Sequence, residues 1–389
     1  MPAAKSSLAT DAPPGTGDRR GRDHAPARAR ARLAGALCAL ATALAALPGL
    51  AQEYQLAGPL PARDLTAYHL TRLEMVPAQS SSALGNGWNL EVDLTHANTF
   101  VKSPGVLDQL KRRGGRKPFS AQDAQAVLAI RGDVSYLDGE LGLLAPTLRY
   151  KLDERRSLFL VWPLYYFTGG IFDSTIEGFH HAFGLGNGDR QFVARNEFRV
   201  VYRVGREQVV QLGAPPSGLS DPILGIRCRL LPPGSRWDLI VELAARVALR
   251  RRGGLSTGGS DLGLQLALHR TFGRQGRQAL YLDWSEVHLG GPLPDRRLDR
   301  NSMPAYVAGY EIGLTHQTSV VVQAYMSPSV FRHSAVATLA QNRYELLAGV
   351  RSRRGPLTWH LVLVENIIHL ENTPDVGAQI GLGWRFGNR

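Results

Sequence analysis

An antiparallel, transmembrane β-barrel of the outer-membrane type is the fold class this sequence predicts, on three observations. Apolar residues recur at every second position over stretches of about 10–13 residues, nearer to a tilted bilayer-spanning strand than to a soluble strand of five or six. Charged residues occupy the opposite face of those stretches even at mid-strand, as a polar lumen inside a hydrocarbon-facing wall would have it. Aromatic residues gather near strand ends, at Trp162, Tyr165, Tyr166 and Phe167 and again at Trp384 and Phe386, where an interfacial girdle would lie.

Taken in order, the chain opens with a leader. The first 51 residues hold seven basic residues (Lys5, Arg19, Arg20, Arg22, Arg28, Arg30 and Arg32) against Asp11, Asp18 and Asp23. That is +4 of the formal +12, leaving +8 for the rest. An apolar run from Leu33 to Leu47 follows, too short and Ala-rich for a membrane span, then Pro48 and small residues that fit signal-peptidase cleavage after Ala51. The expected domains are therefore a signal peptide at 1–51, an N-terminal periplasmic or plug segment at 52–87, with or without the first strand, and a barrel at 88–389 with a helical insert at 167–193. With Cys38 in the leader, Cys228 is left alone and no intrachain disulfide can form. The basic balance suits anionic headgroups, anionic solutes and nucleic acid alike, so charge by itself selects no function.

The strands follow from the period of two. Leu90, Val92 and Leu94 alternate with Asn89, Glu91 and Asp93, and Leu262, Leu264, Leu266 and Leu268 face away from Asp261, Gln265 and His269. Comparable runs cover 128–136, 141–151, 156–167, 197–203, 224–230, 239–246, 278–288, 306–314, 318–328, 342–352, 356–367 and 376–386. Asp138-Gly139 reads as a tight hairpin turn. Toward the C-terminus, long connections (368–375, 329–341, 289–302) alternate with short ones (353–355, 315–317, 272–277), as outer loops alternate with periplasmic turns. The count is 12 to 16 strands, depending on whether 65–77 and 206–212 form strands, with 14 favoured by evenness. In the last strand Gln379, Gly381, Trp384 and Phe386 fit the polar-x-Gly-x-x-aromatic-x-aromatic pattern of the C-terminal signal read by the outer-membrane assembly machinery.

Several stretches together resemble a bacterial family filed as domain of unknown function 3187 and regarded as outer-membrane barrels. They are Gly58-Pro59-Leu60-Pro61-Ala62-Arg63; Asp138-Gly139-Glu140; Gly169-Gly170-Ile171-Phe172-Asp173 with Glu177-Gly178-Phe179-His180-His181-Ala182-Phe183-Gly184-Leu185 and Asn187-Gly188-Asp189-Arg190; Leu219-Ser220-Asp221; and the Gly-rich final strand. The resemblance implies the barrel and brings no activity with it.

Candidate sites are few. Ser174 and Glu177 read as a capping box, and Ile176, Phe179 and Phe183 share one helical face. The predicted amphipathic helix, with Asp173, Glu177, Phe179, His180 and Phe183, either packs at the barrel mouth or folds inward as a constriction. Asp173, Glu177, His180 and His181 share neighbouring turns; a solvated polar face accounts for them more simply than a metal site, which needs further ligands. Arg131, Arg149, Arg199, Arg203, Arg227, Arg229, Arg246 and Arg351 are expected to face inward, as are Glu91, Asp93, Asp133, Glu140, Glu197, Glu242, Glu311 and Glu345. They form either a stiffening ladder of ion pairs or, at Arg227, Arg229 and Arg246, anion contacts in a pore. Gly254-Leu255-Ser256-Thr257-Gly258 matches a nucleophile-elbow string but joins two strands, where that string carries no catalysis. The basic stretch Lys111, Arg112, Arg113, Arg116 and Lys117 suits a solvated loop or lipopolysaccharide phosphates. A substrate-restricted or plugged channel is thus expected, with a structural barrel of filled lumen and an outer-membrane lipid hydrolase as alternatives. Expected partners are outer-membrane lipids and lipopolysaccharide, the assembly machinery and a small anionic or amphipathic solute, with neither nucleic acid nor a cofactor.

Overall fold

The computed structural model describes residues 54–182, 187–250, 255–290, 300–368 and 372–386. The leader at 1–51, Phe183 and Gly254 lie outside the described residues. In chain order the elements are β1 (Gly87–Lys102), α1 (Pro104–Arg113), α2 (Ala121–Leu128), β2 (Val134–Lys151), β3 (Arg156–Val161), β4 (Leu164–Thr168), α3 (Asp173–Ala182), β5 (Arg199–Val204), β6 (Glu207–Gln211), β7 (Gly218–Leu219) and β8 (Ile223–Arg229). They continue with β9 (Trp237–Arg246), β10 (Asp261–Phe272), β11 (Gln278–His288), β12 (Ser302–Gly313), β13 (Thr318–Ser327), β14 (Arg343–Arg354), β15 (Leu357–Ile368) and β16 (Val376–Arg385).

From β8 to β16 each strand pairs antiparallel with the next, β8 also pairs with β3, β3 with β2, and β2 with β1. β1 then pairs with β16 from Asn89↔Arg385 to Asn98↔Val376, which closes the cylinder and leaves it no open edge. All described strands but β4–β7 belong to this closed wall, so the barrel has twelve strands and four more stand beside it. The favoured count of 14 is corrected. The short β4–β7 contribute to the sequence pattern without completing the ring.

The reason for the extra strands is β2, 18 residues long. Its free edge pairs with β3 at Thr147–Lys151, with β4 at Glu140–Leu144 and with β5 at Val134–Asp138, one above another. Asp138-Gly139 therefore lies inside a strand; the turn reading fails because β1 pairs straight through it. The expected strand over 128–136 begins only at Val134, since 121–128 is helical. Of the two doubtful stretches, 206–212 contains β6, while 65–77 forms no strand.

Burial inverts that of a soluble protein. Leu94, Leu282, Leu363 and Ile380 are 43%, 59%, 58% and 55% exposed on the outside, whereas Asp261, Glu311, Gln323 and Gln379 on the inside are at most 2% exposed. Apolar area left in water costs roughly 25 cal/mol per Å². A continuous belt of it around a closed wall matches hydrocarbon contact. Trp88, Tyr150, Trp237, Trp384 and Phe386 rim one end of the belt, and Trp162 and Tyr306 are exposed toward the other. Tyr165 and Phe167 differ from the girdle expectation. They turn inward beside Leu143 and Leu141, and Tyr166 packs on His96.

The ends of the barrel differ. Tight connections (152–155, 230–236, 273–277, 314–317, 355–356) share one end; the long ones share the other. At the long-loop end β1 and β2 extend past the apolar belt. There α1 and α2 cover their outer face, burying Val106, Leu110, Phe119, Ala124 and Val127 against Phe100, Tyr136 and Val201. Ser120 caps α2 and shares a reciprocal bond with Asp123, so that this helix, unlike α3, carries a true capping box.

Candidate functional site

Residues 54–86 occupy the lumen. The chain enters at the short-turn end, where the Tyr54 and Gln55 N–H groups donate to Gln275 and His316 carbonyls. It rises to Asp64, which pairs with Arg343 near the opposite end, and turns over at 65–72, where Thr66 reaches the Asn372 carbonyl. It then descends past Asp261, Asp283 and His269 to Ser81 beside Asp238, and joins β1 at the end where it entered.

The inward polar residues of the wall bind this hairpin's backbone. The Gly58 and Leu60 N–H groups donate to Glu311 at 3.1 Å and Gln323 at 2.8 Å. On the descending leg, Leu73, Ala78 and Ser81 donate to Asp261 at 2.8 Å, Asp283 at 3.0 Å and Asp238 at 2.9 Å. Arg351 donates to the Gly58 and Pro59 carbonyls at 2.8 and 2.9 Å, and Arg227 to that of Gln79. A strandless segment with Pro59, Pro61 and Pro77 satisfies few of its own backbone groups, the Ser80 N–H to the Ala57 carbonyl among them, and burial without partners would cost about 1–3 kcal/mol per group. Charged and amide side chains of the wall supply the other partners. The two legs touch at Gly58, whose φ of +97° and 2.4 Å distance from an ideal Cβ to the Ser80 nitrogen leave no room for a side chain.

These contacts place the sequence candidates. Arg227 faces Glu242 at 3.7 Å, Arg229 meets Asp238 at 2.8 Å, and Arg246 lies between Asp221 and Asp261, at 2.9 Å from the latter. All three have carboxylate partners, which favours the ion-pair ladder over free anion contacts. Arg199, Arg203, Glu140 and Glu197 do not face the lumen. Glu140 holds His96 and the Ile171 and Phe172 amides on the outer face, Glu197 and Arg199 bind the Phe119 backbone, and Arg203 binds the Leu128 carbonyl. Arg131 is exposed ahead of β2.

The helix α3 stands outside as well. Asp173 bonds with Asn98 at 3.1 Å and Arg190 at 3.0 Å, on the face of β1 opposite to Glu91 and Asp93. Inward constriction by Asp173 and Glu177 is thereby corrected: the obstruction is the 54–86 hairpin, and α3 belongs to the outer cover. Ser174 lies within the helix and Glu177 binds Arg116 and Arg195, so the predicted capping box does not form. Burial would raise the Glu177 carboxyl, but those two guanidinium groups outweigh it and hold it below its ordinary value. The side chains of Phe179 and His180 lie outside the described residues. Asp173 and Glu177 are thus engaged by arginines.

Ser256, of the nucleophile-elbow string, donates to Asp221 at 2.7 Å and accepts from the Gly258 N–H. It shores up the Arg246–Asp221 pair. In the last strand Gln379 and Gly381 point inward, Gln379 toward the Pro61 carbonyl at 3.3 Å, while Trp384 and Phe386 are exposed outside.

Above the hairpin's tip lies a cavity of about 450 Å³. Leu137, Phe198, Val200, Tyr202 and Phe331 line it, with Tyr68 and Thr71 of the tip as its floor and Arg300 at its wall. The Phe198 ring packs on Gly139, the residue misread as a turn. Arg300 donates through Nε to the Ser329 carbonyl, which fixes it there. By contrast, the voids beside Arg63 within the lumen measure about 10 and 30 Å³. The cavity was missed in the sequence because Val200 and Tyr202 read as lipid-facing; in β5 they face inward.

Residues 113–386 match a family described as protein of unknown function (DUF3187). The 58–63 stretch lies outside that match. No curated protein matches the chain. Among solved structures, an outer membrane channel from Pseudomonas putida F1 is similar at 14% identity, covering 78% of this chain and 97% of that one with a TM-score of 0.47. The P. putida toluene transporter TodX is similar at 10% identity over 84% and 99% of the two chains (TM-score 0.38), and the Ralstonia pickettii toluene transporter TbuX at 10% over 78% and 90% (TM-score 0.36).

Proposed function

Because the chain belongs to the DUF3187 family of proteins of unknown function, which supplies no activity to inherit, we propose one from the geometry: a plugged, substrate-restricted outer-membrane channel for small amphipathic solutes. The observation that carries this reading is the cavity of about 450 Å³ whose floor is the tip of the lumen-filling hairpin. Its size falls within the ~300–1,000 Å³ common to small-molecule sites. Its rings and aliphatic chains suit an apolar body, and Arg300 suits an anionic head. A solute seated there touches Tyr68 and Thr71, so binding and hairpin position are coupled. In this reading the leader at 1–51 is cleaved on export, the assembly machinery reads the β16 pattern, and the exposed Lys111, Arg112 and Lys117 meet lipopolysaccharide phosphates.

The test is saturable uptake of radiolabelled medium-chain and aromatic carboxylates into proteoliposomes, beside the cavity-filling variant Val200→Trp. Uptake by the mature protein and its loss in V200W is the expected result; no uptake of any carboxylate by a folded protein overturns the channel. The tight pairing of hairpin and wall, with voids of only about 10 and 30 Å³, favours a second reading, a structural envelope barrel with a filled lumen. That negative result would select it.

A further inference from the structure

Most inward carboxylates of this lumen have an arginine or a backbone N–H to hold, but one group does not. Asp93 on β1 and His360 on β15 both oppose Gly381 on the strand between them. With no side chain at Gly381, the two reach each other across it, His360 Nε2 lying 3.0 Å from Asp93 Oδ1. An ideal Cβ on Gly381 would fall 2.2 Å from that nitrogen and 2.3 Å from that oxygen, so the space above Gly381 is where the two converge. Glu91, one inward position from Asp93, approaches the ring's Nδ1 at 3.9 Å. Donor atoms from the three residues lie within 4.8 Å of one another.

Hydrogen bonding leaves this junction rich in electron pairs. Gln379 directs its amide nitrogen to the Pro61 carbonyl, which can only accept, and that orientation turns the same NH₂ toward His360 Nε2 at 3.1 Å. The ring nitrogen facing Asp93 is then an acceptor. Among the described residues, Asp93 Oδ1, in a residue 7% exposed, has no hydrogen-bond partner, although the Gln379 amide also touches this carboxyl. Glu91 receives the Gln79 amide, at 3.0 and 3.2 Å. Among the described residues, neither carboxylate has a lysine or arginine within ion-pair distance; Arg63 lines the same void but donates to the Glu74 carbonyl, Arg351 is bound to the hairpin's carbonyls and Arg149 is turned to Glu242. Two buried carboxylates converging on one point need a positive charge, and His360 Nε2 turns its lone pair to the same point once it gives up the Gln379 hydrogen bond. The adjoining void of about 30 Å³, lined by Glu91 and Asp93, has room for a water or so to complete a coordination shell.

We propose that Glu91, Asp93 and His360 bind a single first-row divalent cation such as Zn²⁺ in the barrel wall, seated over Gly381. One imidazole and two carboxylates are hard-to-borderline donors that such ions take, and the pair's two negative charges neutralise the ion. Gln79 and Gln379, which touch the cluster, also hold the hairpin's two legs, so the ion sits where wall and hairpin meet.

The experiment uses tag-free mature protein folded in detergent, stripped with a chelator, equilibrated with Zn²⁺ alone and passed through gel filtration. Metal content of about one ion per chain is expected, falling to near zero in both Asp93→Asn and His360→Gln. Asp93→Asn keeps the shape and removes one charge, and heat-shifted gel mobility confirms that each variant is folded. Co²⁺ in place of Zn²⁺ should give a visible absorption band in the wild type alone. A folded wild type that retains no metal, or variants that retain as much as it does, would overturn the site.

Discussion

A mature chain lacking residues 54–80 should still close its barrel and conduct ions in planar bilayers at least about tenfold better than the intact protein. The wall closes through backbone ladders between β1, β2 and β16 that the hairpin does not enter. Removing the hairpin therefore leaves the cylinder intact and replaces Gly58, Leu60, Leu73 and Ala78 by water at Glu311, Gln323, Asp261 and Asp283. These are charged or amide groups that water solvates readily, so the emptied lumen should fill with solvent. Heat-shifted gel mobility checks the fold, and single-channel current reads the effect. Equal, negligible conductance from intact and shortened proteins would mean that something else closes the lumen.

Arg343→Met should release the hairpin from within the full-length chain. Arg343 and its partner Asp64 are almost wholly buried, and Arg343 also holds Ser327. Removing one member of a buried pair strands the other charge at a cost of about 3–5 kcal/mol. Because Asp64 belongs to the hairpin, that cost falls on docking, raising the undocked-to-docked ratio by roughly two to nearly four orders of magnitude. The expected readout is frequent opening in bilayer recordings, with the barrel's own unfolding in denaturant little changed. Adding Asp64→Leu should restore part of the closure, since a site without either charge has none to desolvate. An R343M protein as closed as wild type would contradict this assignment.

What the sequence disclosed and what it hid divide along one physical line. The wall was legible because each strand advertises its two faces locally: Leu262 to Leu268 against Asp261, Gln265 and His269 needs no partner to be read. The ends were legible too, since loop length alternates. The hairpin was not. Its partners lie far away in sequence, Gly58 at Glu311 and Leu60 at Gln323, and a segment held by side chains to its backbone has no reason to carry a period. The inward arginines were read correctly as inward at Arg227, Arg246 and Arg351, but an inward charge looks the same facing water, a carboxylate or a carbonyl. At Arg199, Arg203, Glu140 and Glu197 even the facing was misread, because strands that project past the bilayer exchange hydrocarbon for a helical cover. The alternation persists there while the meaning of its faces changes. Likewise Gly381, read as part of an assembly pattern, is also the gap through which Asp93 and His360 meet.

The central claim is that the wall's polar side chains hold residues 54–86 inside the barrel by their backbone. Amide hydrogen exchange on the mature protein in detergent tests it residue by residue. The N–H groups of Gly58, Leu60, Leu73, Ala78 and Ser81 donate to Glu311, Gln323, Asp261, Asp283 and Asp238. They should exchange orders of magnitude more slowly than free peptide, as strand amides do. Exchange of these five at the rate of an unstructured chain, beside a protected wall, would contradict the account.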